Sequence, residues 1–159
     1  MSEGLAGNGD SRREDPVSSA DDTESPAQDA DTYQLYHRGL DLLGRGSAAA
    51  AAQLLARAAA AEPDSKSVRE ALARAQFDAG QYQAAAGNFR RIVDASPSDD
   101  YAQFGLGLAL ARTGDHGAAA EHLALAAAMR PNLRHYTDAL RSVRATLRAR
   151  EAFRKGRAD

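Results

Sequence analysis

YAQFGLGLALARTGDHGAAAEHLALAAAMRP, residues 101–131, places two glycines, Gly105 and Gly107, inside an otherwise good helical run. Each interior glycine costs a helix about 1 kcal/mol relative to alanine. The stretch then breaks at Gly114, restarts on small residues and closes at Pro131. The same punctuation recurs upstream. Gly46, Gly80 and Gly114 are 34 residues apart, and so are Pro63, Pro97 and Pro131. Between each Gly and its Pro lies a start rich in small residues: GSAAAAAQLL, GQYQAAAGNF and GDHGAAAEHL. A fixed interval of this size marks a repeat array, in which each unit buries its apolar face against the next.

Each unit reads as two antiparallel helices. The first spans about 32–44, 66–78 and 100–112 and stops at a glycine suited to the left-handed conformation that follows a helix end. The second spans about 47–61, 82–95 and 116–129, with proline just after it because proline cannot continue a helix. Asp64-Ser65 and Ser98-Asp99 offer side-chain oxygens as caps for the helix that follows. A seventh helix, 134–153, has an apolar stripe at Leu133, Tyr136, Leu140, Val143 and Leu147, spaced to form one face.

Composition agrees with an all-α chain. Ile92 is the only isoleucine, valine occurs four times, and tryptophan is absent, so strand formers are scarce. The absence of cysteine excludes disulfides, thiolate metal sites and cysteine nucleophiles. No secretory signal or run of eighteen apolar residues stands out, so a soluble cytoplasmic protein is expected. Residues 1–30 carry eight acids and two arginines. Only Leu5 and Val17 there could anchor a core, so the segment is expected to be a disordered acidic tail. The domain proper is expected over 31–155, with units 32–65, 66–99 and 100–133 and a capping helix 134–153.

The 34-residue helix-turn-helix period resembles the tetratricopeptide repeat (TPR) family, with its pattern W-x2-L-G-x2-Y…A-x3-F…P. The third unit reads Gln103-x2-Leu106-Gly107-x2-Leu110, Ala119-x3-Leu123, Pro131. The second reads Arg69-x2-Leu72-Ala73-x2-Gln76, Ala85-x3-Phe89, Pro97. The first reads Leu35-x2-Arg38-Gly39-x2-Leu42, Ala51-x3-Leu55, Pro63. The leading Trp is missing throughout, Tyr gives way to Leu or Gln, and Arg38 departs from Leu. The resemblance implies a right-handed α-solenoid of three units plus a capping helix. It also implies that Gly39, Ala73 and Gly107 face Ala51, Ala85 and Ala119 where paired helices cross closely.

In such a solenoid the first helices line the concave surface. The resemblance then assigns a partner-binding groove to Tyr33, Tyr36, Leu40 and Leu43, to Glu70, Arg74 and Phe77, and to Tyr101, Phe104, Leu108 and Arg112. Five of the nine aromatics fall on it, and exposed rings edged by charge mark recognition surfaces. Gly105 lies beside this row, and two readings stay open: room for a bound side chain, or room for a neighbouring helix. Family members that clamp acidic chaperone C-termini use Lys, Arg and Asn side chains. Here the matching places hold Tyr36, Leu40, Ala71, Tyr101 and Gly105, so that partner is not expected. An apolar or aromatic segment with some charge suits this wall better.

The expected function is therefore a protein-protein interaction adaptor or scaffold with no enzyme activity, cofactor, metal or membrane contact. His37, His116, His122 and His135 lie in different elements or on different faces and lack metal-ligand spacing. Two alternatives remain. Arg141, Arg144 and Arg148 share a face of the last helix and could contact phosphates of RNA. Alternatively, the open ends of a three-unit array could make the chain a self-associating structural module.

Overall fold

The computed structural model describes residues 26–158, which form seven helices and no strand. They are α1 (Pro26–Gly44), α2 (Ala48–Ala61), α3 (Lys66–Asp78), α4 (Tyr82–Ala95), α5 (Asp100–Arg112), α6 (His116–Met129) and α7 (Arg134–Ala158). Consecutive helices from α1 to α7 pack on one another, and first helices of successive units also touch. The architecture is the all-α repeat solenoid that the 34-residue interval predicts.

The punctuation works as its chemistry requires. Gly46, Gly80 and Gly114 have φ of 82°, 80° and 96°, a left-handed backbone that side chains resist. Ser65 Oγ accepts from the Val68 N–H, and Asp99 Oδ1 accepts from the Ala102 N–H, so both expected caps are in place. Asp115 adds a third through the Ala118 N–H.

Alanine sets the helix spacing. Ala51, Ala73, Ala85 and Ala119 are completely buried, so paired helices approach without intervening bulk. A Cβ on Gly107 would lie 2.6 Å from Leu123 Cγ and 3.1 Å from the Ala119 carbonyl oxygen. Gly39 meets Leu55 in the same way, at 2.6 Å. Glycine is thus required where the facing helix presents leucine, and alanine suffices where it does not.

The missing Trp is replaced by a polar clamp. Arg69 and Gln103 occupy that place in their units, and both are buried. Arg69 Nη2 donates to the Pro63 carbonyl at 2.7 Å and Nη1 to Asn88 Oδ1 at 2.9 Å. Gln103 Nε2 donates to the Pro97 carbonyl at 2.9 Å, and its Oε1 lies 2.7 Å from His122 Nδ1. Because the Gln103 amide nitrogen is committed to a carbonyl, Oε1 must accept, and His122 Nδ1 carries the proton. Each clamp ties the end of the preceding unit to both helices of its own. No buried side-chain polar atom among the described residues lacks a partner.

Two helices differ from expectation in extent. The first begins at Pro26 rather than near 32, because proline at the first helical position has its φ preset and surrenders an N–H that would be orphaned anyway. The expected tail boundary at residue 30 therefore falls inside α1, and residues 1–25 lie outside the described part. The last helix runs to Ala158 rather than 153, with Glu151 bridging Arg154 and Lys155 on its exposed end.

The seventh helix stacks as a first helix would. Tyr136, Leu140 and Val143 are buried against the preceding unit, and Leu140 stands 34 residues after Leu106. Tyr136 Oη donates to Asp100 Oδ2 at 2.7 Å. Burial, first, and then this bond to a carboxylate push its phenol far above the ordinary tyrosine range. Arg141 and Arg144 fall where other units carry Gly or Ala and Leu or Gln, and they are exposed because no second helix covers them among the described residues. At the other end Arg38, at the pattern's Leu position, is exposed, and no unit precedes it among the described residues.

Candidate functional site

The first helices α1, α3 and α5, continued by α7, form one wall, and most of the residues assigned to the groove lie on it. A hollow of about 210 Å³ opens between α3 and α5. Its lining includes five of the predicted residues, Arg74, Phe77, Tyr101, Phe104 and Leu108. The rings are neither sealed nor free: Phe77, Tyr101 and Phe104 are half-buried. Tyr101 shows the mixture in its chemistry, since burial raises its phenol while the nearby Arg74 opposes the shift.

The floor of this hollow resolves the two readings of Gly105. A Cβ there would lie 2.5 Å from the Phe89 ring, so the missing side chain admits a ring from α4 of the preceding unit. Phe89 was legible only as the aromatic of the repeat pattern. The structure adds that its ring meets the hollow and lies 6.2 Å from the Tyr101 ring, edge-on.

The flanks are held firmly. Phe104 stacks on Tyr136 with ring centroids 4.6 Å apart, and His135 meets it edge-on. Arg112 Nη1 donates to Tyr82 Oη at 2.9 Å and its guanidinium lies over both the Phe77 and Tyr82 rings. Arg112 does not line the hollow itself; it is exposed and positioned by a tyrosine that the first-helix mapping did not include. Glu70 is half-buried between α3 and the start of α5; loss of hydration raises its carboxyl above the ordinary range, and Arg74 and Lys66 partly offset this. Lys66 reaches across to pair with Asp99.

The residues from the first unit do not all join this hollow. Leu40 and Leu43 are half-buried and pack on the core cluster around α2, so they contribute as much to stability as to the wall. Tyr33 and Tyr36 line a separate hollow of about 260 Å³ with Asp29, Glu62, Ser65 and Ser67. Tyr33 is 64% exposed, and its ring lies 4.1 Å from that of His37. Glu62 comes from the end of α2, which a mapping confined to first helices does not reach.

Arg141, Arg144 and Arg148 lie on α7 outside the groove, all exposed. Arg141 pairs with Asp138 at 2.9 Å. Among the described residues no group of three or more His, Cys, Asp or Glu could hold a metal ion, and no helix is long and apolar enough to cross a membrane.

A stack of helix pairs repeating every 34 residues, with a ring-lined inner wall, defines a helical-repeat solenoid. The family is shown by a tetratricopeptide repeat model that matches residues 36–100 and 70–133; the chain belongs to the tetratricopeptide repeat family. Among solved structures it is similar to the first TPR of Spaghetti (RPAP3) bound to the HSP90 peptide SRMEEVD. The TM-score is 0.68 at 19% identity, over 74% of this chain and 94% of that one. The Sgt2 TPR domain from Aspergillus fumigatus gives 0.69 at 20%, over 80% and 83%. MamA MSR-1 gives 0.69 at 25%, over 78% and 72%. No curated protein matches the chain.

Proposed function

We propose that the chain is a protein-interaction adaptor that docks a peptide or protein segment in its concave groove. The observation that carries this reading is the hollow between α3 and α5, where Phe77, Tyr101, Phe104 and Leu108 offer apolar surface that the fold leaves half-covered. A guest side chain entering it gains roughly 25 cal/mol for each Å² of apolar surface removed from water. Membership of the family supports a protein or peptide partner, as does the peptide held by the Spaghetti domain. The partner differs in chemistry from that acidic heptapeptide. The places where a carboxylate clamp needs cations hold Tyr36, Leu40, Ala71, Tyr101 and Gly105, and Ala71 and Gly105 are buried.

The test uses a photo-crosslinking amino acid placed in the full chain at Phe77, in the groove, or at Leu125, on the back. Leu125 is 50% exposed and controls for adventitious apolar contact. A partner captured from native extract through position 77 and not through 125 supports the groove. Capture only through 125 moves the interaction to the convex surface and ends this reading.

A further inference from the structure

The second hollow has chemistry of its own. Two carboxylates, Asp29 and Glu62, and two phenol rings, Tyr33 and Tyr36, line it with Thr32, Ser65, Ser67 and Val68. Among the described residues no Lys or Arg lines it and neither carboxylate has an ion-pair partner within 4 Å; Arg57 lines the adjoining hollow, which shares Asp29 and Glu62. Tyr33 stays largely exposed at its mouth. Ring faces and carboxylates around one hollow both favour a cation: the rings through their negative faces, the acids through charge. The hollow between α3 and α5 is different. Its rings share the lining with two charges of opposite sign, Arg74 and Asp78.

We propose that the groove reads a two-anchor segment, with a lysine or arginine side chain of the partner seated between Tyr33, Tyr36, Asp29 and Glu62 and a large apolar side chain seated over Phe89. This rests on the groove reading above and specifies its guest. The spacing follows from α3, which contributes to both hollows. It meets the first at Ser67 and Val68 and the second at Arg74, Phe77 and Asp78. That separation is about 13 Å along a helix rising about 1.5 Å per residue. The hollows open on opposite flanks of α3, so this axial distance is a minimum, and an extended guest advancing about 3.3 Å per residue needs its basic and apolar anchors at least about four positions apart. An acidic side chain in the first hollow would set like charges beside one another.

The experiment pans a random dodecapeptide library, displayed on phage, against the full chain. Parallel pannings use Asp29→Asn with Glu62→Gln, which keeps the hydrogen-bonding shape and removes the charge, and Leu108→Arg, which fills the apolar hollow. Far-ultraviolet circular dichroism melts confirm that each variant is folded. The expected result is enrichment of Lys or Arg at least about four positions from Phe, Leu or Trp. In the double variant the basic preference disappears while the apolar one stays, and a selected peptide synthesised with a fluorophore binds about tenfold more weakly. Enriched peptides with an apolar anchor but no basic one, or with an acidic one, overturn the two-anchor inference and leave the groove reading standing. No enrichment over the folded Leu108→Arg variant overturns both.

Discussion

Gly105 of α5 and Phe89 of α4 interlock: the ring occupies the space in which a Cβ at 105 would stand, 2.5 Å away. Gly105→Ala therefore sets two effects against each other. Helix propensity gains about 1 kcal/mol, while overpacking a buried contact costs about 1–3 kcal/mol. A ring held between two helices cannot yield cheaply, so the expected outcome is a net loss of roughly 1–2 kcal/mol in urea unfolding. Gly87→Ala is the control, because its Cβ would meet nothing within 4 Å and should stabilise by roughly 0.5–1 kcal/mol. In a Phe89→Leu background the penalty at 105 should shrink, giving a coupling above about 0.5 kcal/mol in the double-mutant cycle. An additive cycle would show that Phe89 is not what demands glycine.

The polar clamps predict that conservative-looking changes are not conservative. Arg69 serves two acceptors at once, the Pro63 carbonyl and Asn88 Oδ1. A lysine offers a point charge without the planar fork. Arg69→Lys should cost about 2–3 kcal/mol of unfolding free energy, in the range for breaking charge-assisted bonds and stranding a buried partner. A loss below about 0.5 kcal/mol would mean that the clamp is decorative.

Its counterpart in the third unit gives a pH dependence. His122 has its pKa lowered below 6.5 by burial, with Arg90 adding to the effect. The folded chain thus binds a proton at His122 less readily than the unfolded chain does. The stability contributed is present above pH 6.5 and is lost as pH falls below it. Asn88 shows that an amide fills the same place in the second unit. His122→Asn should therefore keep a donor for Gln103 and flatten the decline in the urea midpoint between pH 7 and 5. An equally steep decline in the variant would assign the acid sensitivity elsewhere.

At the alkaline end the bond between Tyr136 and Asp100 makes the opposite prediction. The folded pKa of Tyr136 is raised above its ordinary value of 10, so the unfolded chain ionises first. Stability is intact below pH 10 and falls as pH rises past it. Tyr136→Phe should cost about 1–2 kcal/mol at pH 7 by leaving Asp100 without its donor. Its stability should also decline less steeply between pH 10 and 11, so the gap to the parent narrows. A constant gap across that range would show that the phenol's proton is not linked to folding.

The residues that punctuate helices were legible because their physics is local. Gly46, Gly80, Gly114, Ser65 and Asp99 act on the backbone within a few positions of themselves, and a regular interval exposes them. The facing of Gly107 and Ala119 follows from the repeat resemblance, whereas the Leu123 contact emerged only from the structure. What the sequence withheld depends on contacts between elements. Arg69 and Gln103 read as departures from an aromatic pattern, and only the approach of Pro63 and Pro97 reveals them as replacements that satisfy buried carbonyls. Gly105 left two readings open until the Phe89 ring was placed beside it. Glu62 follows a second helix and Tyr82 belongs to one, so a mapping restricted to first helices passed them over, although Glu62 lines the hollow beside Tyr33 and Tyr82 holds Arg112. Pro26 was assigned to the tail because the residues around it carry no apolar anchor.

The two ends of the solenoid carry charge where stacking needs apolar surface, and this bears on self-association. Arg38 occupies the place of Leu72 and Leu106, while Arg141 and Arg144 occupy places that a second helix covers in every other unit. Terminal units of repeat arrays need polar outer faces to stay soluble, and a guanidinium left against a partner's apolar face would lose its hydration. The parent chain is expected to sediment as a monomer at micromolar concentration. Restoring the pattern with Arg38→Leu at one end and Arg144→Leu at the other joins complementary apolar surfaces head to tail, a contact that does not close on itself. Sedimentation velocity should then show a weight-average mass that climbs with concentration in the double variant and stays nearly flat in either single one. A parent chain that already associates, or a double variant that remains monomeric, would show that these arginines do not keep the ends apart.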